Sequence, residues 1–238
     1  MLSKTYRLLF ENECKIARVI IFKHREDAAK RLADRLKLLV EKSANELLIL
    51  AIPRGGVVIG DAVASSLGAK LDIVVSRKIG APSNSELAIG ALMHDGAFFP
   101  NEDIINMLNV SQEYVDEQIS IQKQEIERRL MRFRGSKEYH LQEKTIILVD
   151  DGIATGATIF AVINWLGNQK PKRLIVAAPV VPKDTLDKLK EERKVDDVVI
   201  LQSPLSFFAV GAFYQDFSQI SDHQVIEIMN KYRYKKDL

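Results

Sequence analysis

The chain has 238 residues, 47% of them hydrophobic and 28% charged, with 34 basic side chains against 32 acidic ones. A chain of this size buries a core without staples, and a formal charge of +2 gives no electrostatic reason to expect nucleic acid or acidic lipid as a partner. The one cysteine, Cys14, has no internal disulfide partner, and no apolar run approaches the roughly 20 residues of a membrane helix, so a cytoplasmic protein is expected.

The N-terminal stretch MLSKTYRLLFENECK is interrupted by Lys4, Arg7, Glu11 and Glu13 and lacks the apolar core of a signal peptide. His24–Ser43 then places Ala28, Ala29, Leu32, Leu36, Leu39 and Val40 on one face at helical spacing. Leu47–Ile52 reads as a buried strand, Gly56–Leu67 as a helix stopped by Gly68, and Leu71–Ser76 as a second strand. Asn101–Arg134 breaks the rhythm with no strand-like run. Ser111 can cap a helix there, with Val115, Ile119, Ile126, Leu130 and Phe133 on one face. Its end is basic (Arg128, Arg129, Arg132, Arg134) and reads as a solvated face. Thr145–Val149 is a third strand, followed by a helix from about Gly156 to Leu166. Leu174–Ala178, a helix over Lys183–Glu192 and the strand Val198–Leu201 complete the series. Uniformly apolar strands alternating with helices predict an α/β fold, a parallel sheet with helices on both faces. We expect one domain over residues 1–238, with a helical insertion at about 101–136 and a C-terminal hood or cap at about 203–238.

The most informative stretch is Thr145–Thr158, TIILVDDGIATGAT. A buried strand runs into two carboxylates, then a short loop rich in glycine and threonine, then a helix. Ligands of open α/β sheets bind beyond the carboxyl ends of the strands. Backbone amides of such a loop, with the first helical turn, can surround a phosphate. The carboxylates precede the anion site, so their partners would be hydroxyls or, through water, magnesium. No Gly-Lys-Ser/Thr follows, which excludes a Walker loop. Each part alone would be an ordinary turn or helix cap.

The whole pattern resembles the phosphoribosyl pyrophosphate motif of type I phosphoribosyltransferases. The resemblance implies that Asp150 and Asp151 hold the ribose hydroxyls, and through them or through water Mg2+. It implies that Gly152, Ile153, Ala154, Thr155, Gly156, Ala157 and Thr158 wrap the 5-phosphate. Two further loops stand in the family's order. Arg54, Gly55 and Gly56 resemble its pyrophosphate loop, with a cis peptide implied near Arg54–Gly55. Ser76–Leu92, SRKIGAPSNSELAIGAL, reads as an exposed loop and, under the resemblance, as a lid carrying Arg77 and Lys78. Arg77-Lys78 and Ala154 lean toward the adenine-type branch. Gly152 departs from the pattern by standing where a bulky aliphatic is usual, and the helical insertion is foreign to the common purine enzymes. The likeness is greatest to a bacterial group of inferred phosphoribosyltransferases whose acceptor is unassigned.

The implied reaction uses phosphoribosyl pyrophosphate and Mg2+ and transfers phosphoribose to a small, nitrogenous, nucleobase-like acceptor, releasing pyrophosphate. Arg77, Lys78 and Glu86 are the candidate catalytic residues, the first two on the leaving group and Glu86 as acid or base toward the acceptor. Phe207, Phe208, Phe213 and Tyr214 are candidates for stacking on the acceptor or, equally, for core and interface. A homodimer is compatible with the pattern. Two rivals stay open: a non-catalytic regulator sensing phosphoribosyl pyrophosphate or a nucleotide, and a hydrolase or structural partner on the same fold. His24, His94, His140 and His223 are scattered without zinc spacing.

Overall fold

The computed structural model describes residues 19–40 and 46–233; Cys14 and the N-terminal stretch lie outside them. Five strands form the expected parallel sheet: β1 (Leu47–Ala51), β2 (Lys70–Ile73), β6 (Thr145–Val149), β7 (Arg173–Val180) and β8 (Asp197–Gln202). Their order is β2-β1-β6-β7-β8, and every neighbouring pair runs parallel.

The strands are apolar throughout because both faces are covered. Leu47, Ile49 and Ala51 of β1, Ile147 and Val149 of β6, and Ile175 and Ala177 of β7 share a core with α1 (Arg25–Lys37), α2 (Gly55–Leu67) and the insertion. The alternate residues, Leu48 and Leu50, Ile146 and Leu148, Leu174, Val176 and Ala178, pack with α5 (Ala157–Asn168) and α6 (Lys183–Glu191). Period-two alternation between two cores requires apolar residues at every position. α2 ends on Gly68 in the left-handed conformation, φ 67°.

The insertion is helical as expected: α3 (Glu102–Met107), α4 (Gln112–Arg129) and a π-helical turn (Leu130–Arg134). Ser111 caps α4, its hydroxyl accepting the Tyr114 amide, and Val115, Ile126, Leu130 and Phe133 are buried. None of the described helices is long and apolar enough to cross a membrane.

The stretch read as an exposed loop is instead an antiparallel hairpin. β3 (Ser76–Ala81) pairs with β4 (Asn84–Met93), and β5 (Phe98–Pro100) extends it to a separate three-stranded sheet. Ile79, Ala81, Ile89 and Leu92 carry it into the main core. The strand beyond β1 is correspondingly shorter than expected, since Ser76 opens β3.

Beyond β8 the chain crosses the carboxyl edge of the sheet. A 3-10 turn at Val210–Phe213 leads to α7 (Asp222–Arg233). This hood is tied to the start of the described chain: Phe22 donates its amide to the Phe213 carbonyl and accepts from Gln215, both at 2.8 Å.

Candidate functional site

β1 leads to β2 on one side of the sheet, whereas β6 leads to β7 on the other. The connections after β1 and β6 therefore run in opposite directions from the switch point of the topology, where open α/β sheets leave a crevice. Arg54–Gly56 and Asp150–Gly156 meet there. A Cβ on Gly56 would lie 3.0 Å from Asp150 Oδ1, and one on Gly55 only 1.8 Å from Asp151 Oδ2. Only glycine lets the two loops come this close. The cis peptide of the β1 loop is Pro53–Arg54, one bond earlier than implied.

The two carboxylates have unlike surroundings. Asp150 Oδ1 accepts the Asp151 amide at 2.8 Å. Burial, and then the charge of Asp151, push the Asp150 carboxyl well above the usual carboxylate range. Asp151 is also raised by burial, but Arg25 opposes the shift. Arg25 Nε donates to Asp151 Oδ2 at 2.7 Å, with side-chain exposures of 8% and 14% for the pair. Arg25 also donates to the Ser218 carbonyl and stacks on Phe217, 3.9 Å from the ring centroid. Tyr214 donates its hydroxyl to the Asp151 carbonyl at 2.6 Å. Asp151 is thus fixed on three sides, while Asp150 carries the less compensated charge.

The loop after β6 is pinned from behind. Ile153 is buried and donates its amide to the Val180 carbonyl, and Thr185 of α6 donates its hydroxyl to the Ala154 carbonyl at 2.8 Å. Ala154 and Thr155 are left exposed at the rim. Gly156 turns the chain into α5 with φ 83°, and Ala157 and Thr158 form the first turn. Free amides in a first helical turn are suited to an anion. Gly152 has a reason in the hood: a Cβ there would stand 2.3 and 2.9 Å from the methyls of Val210. The aliphatic bulk missing from the loop is supplied by the 3-10 turn.

Arg77 and Lys78 lie on β3 and border a shallow cavity of about 370 Å³ with Gly80, Ser85, Tyr114, Gln118 and Gln122. Arg77 Nε donates to Gln122 Oε1 at 2.9 Å, and Tyr114 donates its hydroxyl to the Gly80 carbonyl, so α4 backs the hairpin. Burial, then Arg129, press the Arg77 guanidinium below its ordinary value, with Arg54 and Arg128 adding to the repulsion. A guanidinium stays charged regardless. Glu86 lies on β4, and its side chain is outside the described atoms. Among the hood aromatics, Phe213 and Tyr214 are buried, Phe207 stacks on Phe213, and Phe208 is 94% exposed.

Sequence reasoning missed Arg25, Thr185, Val210, Tyr214's hydroxyl and Asp222. Arg25 had a legible signal: a basic residue opens α1, against the helix dipole. The other four depend on chain crossings with no local pattern.

A parallel sheet with an acidic pair and a glycine loop meeting at its switch point, and a hood above, is the fold of the type I phosphoribosyltransferase class. The chain belongs to the phosphoribosyl transferase domain family, whose model matches residues 20–217. It is 37% identical over 212 residues to proteins of two Mycobacterium tuberculosis strains, CDC 1551 and H37Rv, each described as a "putative phosphoribosyl transferase". The match takes in 89% of this chain but 47% of theirs, so the chain spans about half the length of those relatives. A Thermus thermophilus protein of known crystal structure superposes with a TM-score of 0.73 at 34% identity, over 90% of this chain and 99% of its own.

Proposed function

We propose that the chain transfers the phosphoribosyl group of phosphoribosyl pyrophosphate to a nitrogen acceptor and releases pyrophosphate, with Mg2+ as cofactor. The observation that carries this reading is the meeting of the Arg54–Gly56 and Asp150–Thr158 loops, at distances only glycine allows. One loop suits a diphosphate and the other a ribose 5-phosphate, and C1 of the sugar joins them. A C1–N bond forms as the C1–O bond breaks, the electron pair leaves with pyrophosphate, and the acceptor nitrogen gives up its proton to water or to a base such as Glu86.

The acidic pair fits magnesium as a hard-oxygen donor set that remains incomplete, its other ligands coming from the sugar diphosphate and water. Asp150, whose charge lacks the arginine partner that Asp151 has, would hold the cation or the ribose hydroxyls. Bound there, magnesium would neutralise charge on the leaving group. The Asp150–Thr158 loop would bind and orient the sugar phosphate. Arg25 and Tyr214 would keep Asp151 in one orientation. Arg77, backed by Gln122, and Lys78 would meet negative charge as it grows on pyrophosphate. The hood would shape the acceptor pocket, with a nucleobase-like acceptor suited to its aromatics. The regulator reading shares the donor site and lacks only turnover.

The test is calorimetric titration of the protein with phosphoribosyl pyrophosphate and Mg2+, followed by a pyrophosphate-release screen across nucleobases. The wild type should bind, and the Asp150→Asn/Asp151→Asn double variant should not, although folded. Equal affinity in that variant would overturn the site. Tight binding with no turnover on any acceptor would transfer the assignment to the regulator.

A further inference from the structure

The basic end of the helical insertion is solvated at Arg128 and Arg132, 44% and 50% exposed, yet both guanidiniums gather on one carboxylate. Arg128 Nη1 lies 3.3 Å from Asp222 Oδ2, Arg132 Nη1 lies 3.5 Å from the same oxygen, and Arg54 Nη1 lies 3.5 Å from Oδ1. The Asp222 side chain is 19% exposed, against 29%, 44% and 50% for Arg54, Arg128 and Arg132, so the carboxylate sits inside a ring of guanidiniums. Behind that ring Glu125 holds both Arg128 and Arg129 at 2.7 Å. The like charges of Arg129, Arg54 and Arg128 reach Arg77 on the hairpin. Four arginines, Arg54, Arg128, Arg129 and Arg132, thus gather on two carboxylates, a local surplus of two positive charges. Arg54 belongs to both the ring and the diphosphate loop.

We propose that the end of the insertion is the outer wall of the pyrophosphate site, and that Asp222 occupies the guanidiniums in place of the incoming anion. The proposal rests on the reading of Arg54–Gly56 as the diphosphate loop. A phosphate oxygen and a carboxylate oxygen make the same charge-assisted contacts with arginine. All three contacts to Asp222 are 3.3 Å or longer, looser than the 2.7 Å contacts to Glu125, so the ring is held open without being locked. Binding a diphosphate would exchange Asp222 for a ligand of higher charge on the same donors. Asp222 is then a positioning residue that tunes retention of the leaving group.

The test is titration of magnesium pyrophosphate into wild type, Asp222→Asn and Arg132→Gln, with ribose 5-phosphate in parallel and melting temperatures as a control on folding. Asp222→Asn removes the competitor and should tighten pyrophosphate about three- to tenfold, the scale of a few partly exposed ion pairs. Arg132→Gln removes wall and should weaken it by a similar factor. Affinity for ribose 5-phosphate, which seats on the other loop, should be unchanged in both. Unchanged or weaker pyrophosphate binding in Asp222→Asn overturns the proposal, as does unchanged binding in Arg132→Gln or an equal shift for ribose 5-phosphate. A wild type that binds neither pyrophosphate nor phosphoribosyl pyrophosphate overturns the proposed function itself. A wild type that binds while the variants fail these expectations overturns only the inference.

Discussion

Gly55→Ala is the smallest change that separates the two loops. The new Cβ would stand 1.8 Å from Asp151 Oδ2 and 2.4 Å from its Cγ, where ordinary contact begins near 3.4 Å. The carboxylate must therefore retreat by roughly 1.6 Å, the difference between 3.4 and 1.8. Such a move breaks the 2.7 Å contact with Arg25, which cannot follow freely while it donates to Ser218 and stacks on Phe217. Solvent screens little of the pair at exposures of 8% and 14%. Breaking a buried ion pair costs about 3–5 kcal/mol. Alanine in place of glycine in a helix returns about 0.5–1 kcal/mol. A net loss of ~2–4 kcal/mol should lower Tm by about 5–15 °C in a chain of this size. Thermal melts and urea titration measure the loss, and calorimetry should show donor binding abolished. In an Asp151→Ala background the same substitution should cost under about 1 kcal/mol, because the clash is gone. A Gly55→Ala protein that melts within about 1 °C of wild type and still binds the donor would refute this account of the contact.

Asp150→Asn should stabilise the protein while abolishing donor binding. The folded carboxyl is raised, so the native state holds its proton at pH values where the unfolded chain, near 3.9, has lost it. Asp150 thus withdraws stability as pH rises above that value, and the gain from Asn should vanish near pH 4 and grow as pH rises from there. Melting curves across that range check it, and a gap that grows on acidification contradicts the sign. Arg77→Ala should cut turnover by about 10²–10³ with a smaller effect on donor affinity, measured as pyrophosphate release once an acceptor is found. Wild-type turnover would remove Arg77 from the leaving group. Gly156→Val should lose donor binding, since the position has φ 83° and its Cβ would meet Phe160 at 2.6 Å; phosphate still seated in the loop of a co-crystal would show otherwise.

The parallel sheet was legible because strands between two cores must be apolar at every position, as in Leu47–Ala51 and Thr145–Val149. The strand, acidic pair, short loop and helix of Thr145–Asn168 were legible because these residues are contiguous. The β3–β4 hairpin was not, for a local reason. Its close packing takes glycine and alanine where strand signals need bulk: a Cβ on Gly90 would meet the Phe98 ring at 2.4 Å, and one on Gly80 the Ser85 backbone at 2.5 Å. The arginines of the insertion read as a surface face because the carboxylate they surround is Asp222, ninety residues further along the chain from Arg132. Arg25 was hidden likewise, 126 positions from Asp151.

The fit of Val210 against Gly152 makes two distant positions conditional on each other. A phosphate loop transplanted from a relative with a branched aliphatic at 152 would strike the hood, and would be tolerated only if 210 shrank with it. Conversely, Val210→Ala alone should leave a hollow beneath the 3-10 turn that a larger residue at 152 refills. Mutational histories through this crevice would then have a required order, in which the hood residue changes before the loop residue, and any chimera that ignores that order should fail by steric conflict even though each half comes from a working protein.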